Sequence, residues 1–205
     1  DPLPALQSYN PEGVVYLGSF SKMFAPGFRI GWALAPHAIR NKLVLASESA
    51  ILSPSMVGQM AIEQYLSDYD WYGQVKVYRQ MYRDRCNAMM TALQDFLPDL
   101  QWTTPKGGFY TWVTLPEGLD AKAMLPRAVT GLVAYVSGTA FYADGRGGDH
   151  MRLSFCYPPP EEIREGVSRL SRVINAEREL VEMFGTNDRA ELPDDAVSAP
   201  APDQV

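Results

Sequence analysis

Apolar side chains recur at helical spacing in two long stretches of this chain. Trp71, Val75, Tyr78, Tyr82, Met89, Leu93 and Phe96 predict a helix over 69–97, interrupted near Arg85 and Cys86. At about 1.5 Å per residue it would reach roughly 40 Å, long enough to pass from one domain into another. Ile163, Val167, Leu170 and Val173 or Ile174 predict a second helix, from about 161 to 184. It follows Pro158-Pro159-Pro160 and carries acids in its first turn, which suits the helix dipole. Shorter helical patterns follow Pro36, with Ile39, Leu43 and Ala46 as the buried face, and run over 55–66 and 120–131. The run 14–18 is apolar without alternation and reads as a buried strand, and 29–34 reads as a second, with Arg29 at its start. Two strands flank the turn Pro105-Lys106-Gly107-Gly108. In the second, Phe109, Thr111 and Val113 alternate with Tyr110, Trp112 and Thr114, so both faces read as largely buried or aromatic. Strands are also expected at 133–136 and 150–155, and residues 1–13 read as a loop closed by the turn-prone Asn10-Pro11-Glu12-Gly13.

Strands mixed with helices give an α/β class. The chain divides into 1–75, the closing part of a larger domain, then 76–185, a bridging helix with a smaller α+β domain. A tail over 186–205 has almost no large apolar side chains and reads as disordered. The chain opens on Asp1-Pro2-Leu3-Pro4 without an initiator methionine, which reads as the middle of a longer domain.

Charge changes the picture only by exclusion. The net charge is −6, of which the stretch from Thr186 onward contributes −4 and the remainder −2, so no nucleic-acid-binding surface is expected on this segment. Cys86 and Cys156 have no metal-ligand spacing and read as isolated thiols of a reducing compartment. No apolar run approaches the roughly 18 residues that would suggest a membrane span, so no membrane is expected and the localisation reads as cytoplasmic.

The chemistry concentrates in residues 16–32. Ser19, Ser21 and Lys22 leave the first predicted strand, Pro26-Gly27 turns the chain, and Arg29 precedes Gly31-Trp32. A lysine amine can form a Schiff base with an aldehyde, while serine hydroxyls and a guanidinium fork hold a phosphate. The pattern S-x-S-K-x-x-x-P-G-x-R-x-G-W resembles the cofactor-lysine signature of fold-type I, pyridoxal-phosphate-dependent aminotransferases of classes I and II. It fits best the branch with aminoadipate and kynurenine aminotransferases and the aminotransferase-like domains of GntR-type regulators.

The resemblance covers about residues 1–184. It implies pyridoxal 5′-phosphate as cofactor, Lys22 as its covalent anchor and proton carrier, and Ser19, Ser21 and Arg29 as the phosphate cradle. Arg152, within His150-Met-Arg-Leu-Ser-Phe155, matches the arginine that binds the substrate α-carboxylate. Gly107 and Gly108 match a small-domain Gly-Gly motif, and Tyr110 and Phe141 are either pocket walls or core. Ser53 and Ser55 fall near the family's subunit boundary, although helix capping is the simpler reading of both. His150 is set aside as a base because strand alternation is taken to point it away from Arg152. The implied activity moves an amino group from an L-amino acid to a 2-oxo acid in a cytoplasmic homodimer.

The family's pyridine-nitrogen acid, its ring-stacking aromatic and its glycine/serine phosphate loop lie upstream of the lysine. The chain has only 21 residues there, so it is expected to be inactive alone. Two alternatives share these residues: a lyase or synthase of the same fold, and the effector domain of a GntR-type regulator.

Overall fold

The computed structural model describes residues 3–185, and the expected disordered tail at 186–205 lies outside them. The described chain forms six helices and six strands, and by its internal contacts it divides into two compact units between Arg79 and Gln80.

The first unit contains α1 (Leu6–Tyr9), β1 (Tyr16–Ser19), β2 (Gly31–Leu34), α2 (His37–Ile51), α3 (Met56–Asp68) and the first turns of α4 (Trp71–Phe96). α1 is a single short helical stretch within the predicted opening loop, and Asn10 closes that loop by accepting from Gly13 N at 2.9 Å. β1 and β2 pair antiparallel, with Tyr16 opposite Leu34 and Ser19 opposite Gly31. The ribbon is held by size complementarity: a Cβ on Gly18 would lie 2.2 Å from the Trp32 ring, and Trp32 meets Tyr16 edge-to-face at 4.9 Å. Ser55 caps α3 by accepting from Gly58 N, whereas Ser53 donates only to Pro54 O and caps nothing. Gly58 in turn lets α3 approach Ile30, whose Cδ1 lies 2.8 Å from where a Cβ would sit.

The expected burial of this unit fails. Leu17 and Leu34 on the ribbon are 70% and 51% exposed, and no residue of α2 is buried, including Ile39, Leu43 and Ala46. An apolar run reports the tendency to be covered, but burial needs a second layer. Among the described residues the ribbon has two strands and nothing further pairs with it.

The second unit contains the rest of α4, β3 (Gln101–Trp102), β4 (Tyr110–Thr114), α5 (Ala121–Thr130), β5 (Val136–Ser137), β6 (His150–Ser154) and α6 (Pro160–Phe184). The sheet order is β3-β4-β6-β5 and every pairing is antiparallel. α4 runs without the break expected at Arg85 and Cys86, and its buried residues are Met89, Ala92 and Leu93. These join one core with Val113, Met151, Leu153 and Phe155 and the predicted α6 stripe of Ile163, Val167, Leu170 and Ile174. Asp120 caps α5 by accepting from Ala123 N at 2.8 Å. The buried Tyr135 hydroxyl donates to Ala121 O at 2.7 Å, and burial with the nearby Asp120 and Glu177 charges pushes its pKa up.

Two strand expectations change here. The predicted strand at 133–136 shrinks to Val136–Ser137, because Leu132 takes a left-handed turn at φ 59° just before it. In β4 only one face is buried: Thr111 and Val113 are 1% and 0% exposed, while Tyr110 and Trp112 face outward and remain partly open. No helix among the described residues is long and apolar enough to cross a membrane.

The core stripe gives a stability prediction. Leu170→Ala should destabilise the folded protein by about 2–5 kcal/mol, whereas Tyr157→Ala, at an exposed site, should stay within about 0.5 kcal/mol. Urea unfolding measures both. Equal effects would contradict the assigned core.

Candidate active site

In the first unit, the loop between β1 and β2 carries the candidate cofactor residues. Its neck is closed by one further ladder bond beyond the strands, Phe20 N to Ile30 O at 3.1 Å. Ser19 ends β1 and its Oγ accepts from Ser21 N at 3.1 Å, turning the chain out of the ribbon. That bond uses one acceptor site, so the Ser19 O–H remains a donor. Residues 20–24 form one helical turn, with Phe24 N bonded to Phe20 O at 2.8 Å, and Lys22 sits exposed on it. Phe24 anchors the turn against Phe28 and Tyr65, at ring separations of 5.0 and 4.8 Å.

Pro26–Phe28 then make a 3-10 turn that ends at Arg29. Arg29 does not begin the strand as expected. It sits two residues before β2 in the left-handed region, at φ 54° and ψ 41°. A non-glycine residue there is uncommon, and the conformation costs of order 1 kcal/mol. Two local bonds to Pro26 O oppose that cost, one from Arg29 N and one from its Nη1, each at 3.3 Å. Gly31 follows because the return strand passes close to β1: a Cβ there would lie 2.9 Å from Gly18 O.

The electrostatics of the loop are one-sided. Residues 14–35 contain Lys22 and Arg29 and no acid. Among the described residues neither cation has an ion-pair partner. Two hydroxyls, one lysine and one arginine thus share a short connection that carries no acid.

In the second unit, the open face of the sheet carries Arg152. On β6 it lies directly across from Trp112 on one side and Val136 on the other. Its guanidinium carbon sits 4.0 Å from the Tyr110 ring centroid and 4.8 Å from that of Phe141. Trp112 meets Phe141 edge-on at 5.3 Å and His150 at 5.6 Å. Arg152 has no carboxylate partner within ion-pair distance among the described residues, in contrast to Arg127, Arg164, Arg169 and Arg178 of the same unit.

His150 corrects the sequence reading. Residues two apart on a strand share a face, and His150 and Arg152 are both partly exposed while Met151 and Leu153 are buried. His150 therefore lies on the Arg152 face. Its Nδ1 is buried without a hydrogen-bond partner, and its Nε2 lies 3.7 Å from Asp149.

The structure thus gathers Ser19, Ser21, Lys22 and Arg29 on one loop of the first unit, and places Arg152 on the sheet of the second. The pairing of Tyr110 and Phe141 around Arg152 was only half legible. Tyr110 is two residues from Trp112, the cross-strand neighbour of Arg152, but Phe141 comes from a 3-10 turn at Gly138–Phe141 that no periodicity announces.

A family model for "Aminotransferase class I and II" matches residues 3–170. Aromatic-amino-acid aminotransferase 1 of Thermococcus litoralis is 44% identical over 180 residues, which is 86% of this chain and 43% of that protein. The crystal structure of LysN, the alpha-aminoadipate aminotransferase of Thermus thermophilus complexed with N-(5′-phosphopyridoxyl)-L-leucine, aligns at a TM-score of 0.82. It shares 38% identity and covers 86% of this chain and 46% of its own. The multiple substrate aminotransferase of Thermococcus profundus aligns at the same TM-score, 0.82, with 42% identity, covering 88% of this chain and 45% of its own. The chain spans less than half the length of these relatives. With its α/β architecture and the motif of residues 19–32 in place, the chain belongs to the class I and II aminotransferases of fold type I.

Proposed function

We propose that the protein containing this chain is a pyridoxal-phosphate-dependent aminotransferase that moves an amino group from an L-amino acid to a 2-oxo acid. The observation that carries this reading is the acid-free β1–β2 connection, which carries Lys22 and Arg29, neither with an ion-pair partner among the described residues, together with the hydroxyls of Ser19 and Ser21. That donor set fits a phosphorylated carbonyl compound: the guanidinium and hydroxyls match a phosphate, and the amine matches a carbonyl carbon. When bound, pyridoxal phosphate supplies that carbonyl and a ring that accepts electrons from the substrate Cα.

The residues of this chain supply position and proton transfer. Ser19, Ser21 and Arg29 hold the phosphate and so fix where the carbonyl end lies relative to Lys22. The Lys22 amine would anchor the cofactor and, once freed by the incoming amine, would carry the proton from the substrate Cα to the cofactor's former carbonyl carbon. Arg152 binds the substrate α-carboxylate through a two-pronged guanidinium contact and so sets how Cα is presented. The likeness to LysN, solved with a phosphopyridoxyl-leucine conjugate, supports a site for both cofactor and amino acid.

The same reading extends to a cytoplasmic homodimer. Family membership supports the dimer, and two free thiols suit a reducing compartment. A lyase or synthase would use the same anchoring residues. The transferase reading is favoured because the relatives above, at 38–44% identity, are aminotransferases.

In the full-length protein, Lys22→Ala should abolish the visible absorbance of the bound cofactor and lower kcat by more than about 10²-fold. An unchanged spectrum would refute the anchor. Arg152→Ala should raise KM for the amino-acid substrate by on the order of 30-fold or more, while cofactor retention changes little. The readout is steady-state kinetics with the better of L-leucine and L-tyrosine as donor and 2-oxoglutarate as acceptor. Parallel loss of substrate and cofactor binding would remove Arg152 from the carboxylate site.

A further inference from the structure

We infer that Tyr110 and Phe141 are positioning residues, two aromatic rings that hold the Arg152 guanidinium in place for the substrate carboxylate. The inference rests on the carboxylate role proposed for Arg152, and adds what orients that arginine.

Arginine on an exposed sheet face is usually fixed by an acid or lies free in water, and its several rotatable bonds make the free state costly to order. Arg152 has neither arrangement. Its guanidinium carbon lies 4.0 Å from the Tyr110 centroid and 4.8 Å from the Phe141 centroid, both inside the roughly 6 Å range of a cation–π contact. The side chain makes no hydrogen bond or ion pair among the described residues. Ring faces attract the cation without occupying its N–H donors, whereas a protein carboxylate would compete with the substrate for them.

The two rings reach Arg152 from different elements. Tyr110 lies diagonally across on β4, two residues before Trp112, the direct cross-strand partner of Arg152. Phe141 comes from the 3-10 turn after β5, and Trp112 supports it edge-on at 5.3 Å. Within this chain Tyr110 and Phe141 are 37% and 47% exposed, and neither belongs to the core that holds Val113 and Met151. A guanidinium placed in this way loses less freedom when the carboxylate arrives, which strengthens substrate binding with no added contact to the substrate.

The test uses the cofactor-loaded full-length protein and the same two donors. Tyr110→Leu and Phe141→Leu should each raise the amino-acid KM by about 3- to 10-fold, with a smaller change in kcat and an unaltered cofactor spectrum. Tyr110→Phe and Phe141→Tyr keep the ring and should retain the original KM; a raised KM in both would overturn the inference. In an Arg152→Ala background neither leucine substitution should raise KM further, because the rings act through the arginine. A further, multiplicative rise in that background would mean that the rings meet the substrate directly, and would also overturn it. If Arg152→Ala raises KM but the leucine substitutions do not, the positioning role alone fails. If Arg152→Ala leaves KM unchanged, the carboxylate anchor fails and the positioning role falls with it.

Discussion

Side chains alternate along β4 and β6, and one face of this sheet is committed to the core. Thr111, Val113, Met151 and Leu153 are at most 5% exposed, and the three apolar ones share a core with Leu93 and the α6 stripe. Sending those residues inward obliges Tyr110, Trp112, His150 and Arg152 to occupy the opposite face. The composition of that open face, one cation among aromatic rings, is therefore tied to the register of the core. A slip of one residue would bury Arg152 without a partner, at a cost of several kcal/mol.

The β1–β2 loop meets a different constraint. It exposes Lys22 and Arg29 on one short connection while the ribbon beneath stays closed. Gly18 and Gly31 allow the two strands to approach around Trp32, and Phe20 ties its backbone to Ile30 across the neck. The loop accepts a left-handed Arg29 and fixes it by two bonds to Pro26 O.

Much of this was legible in the sequence, and the exceptions have physical causes. The α6 stripe at 163, 167, 170 and 174 was readable because one face of a long helix is buried along its length. The family was readable from the loop motif because several residue types with distinct chemical reasons stand in fixed register. Burial of β1, β2 and α2 was not, since periodicity reports a preference for cover and says nothing about whether a covering layer is present. The left-handed turn at Arg29 was hidden because nothing in an arginine announces positive φ. Strand alternation puts residues 150 and 152 on the same side, so His150 belongs to the Arg152 face and not to the opposite one. The contact of Phe141 with Arg152 depends on the 3-10 turn after β5, a tertiary placement that local pattern does not encode.

In the proposed function Lys22, on an acid-free loop, is the residue that holds the cofactor. Borohydride reduction of the cofactor-loaded full-length protein, followed by peptide mass spectrometry, locates that attachment directly. A phosphopyridoxyl group is expected on the peptide containing Lys22 and on no other lysine of this chain. Attachment at Lys42, Lys76, Lys106 or Lys122, or a Lys22 peptide left unmodified in loaded protein, would contradict it.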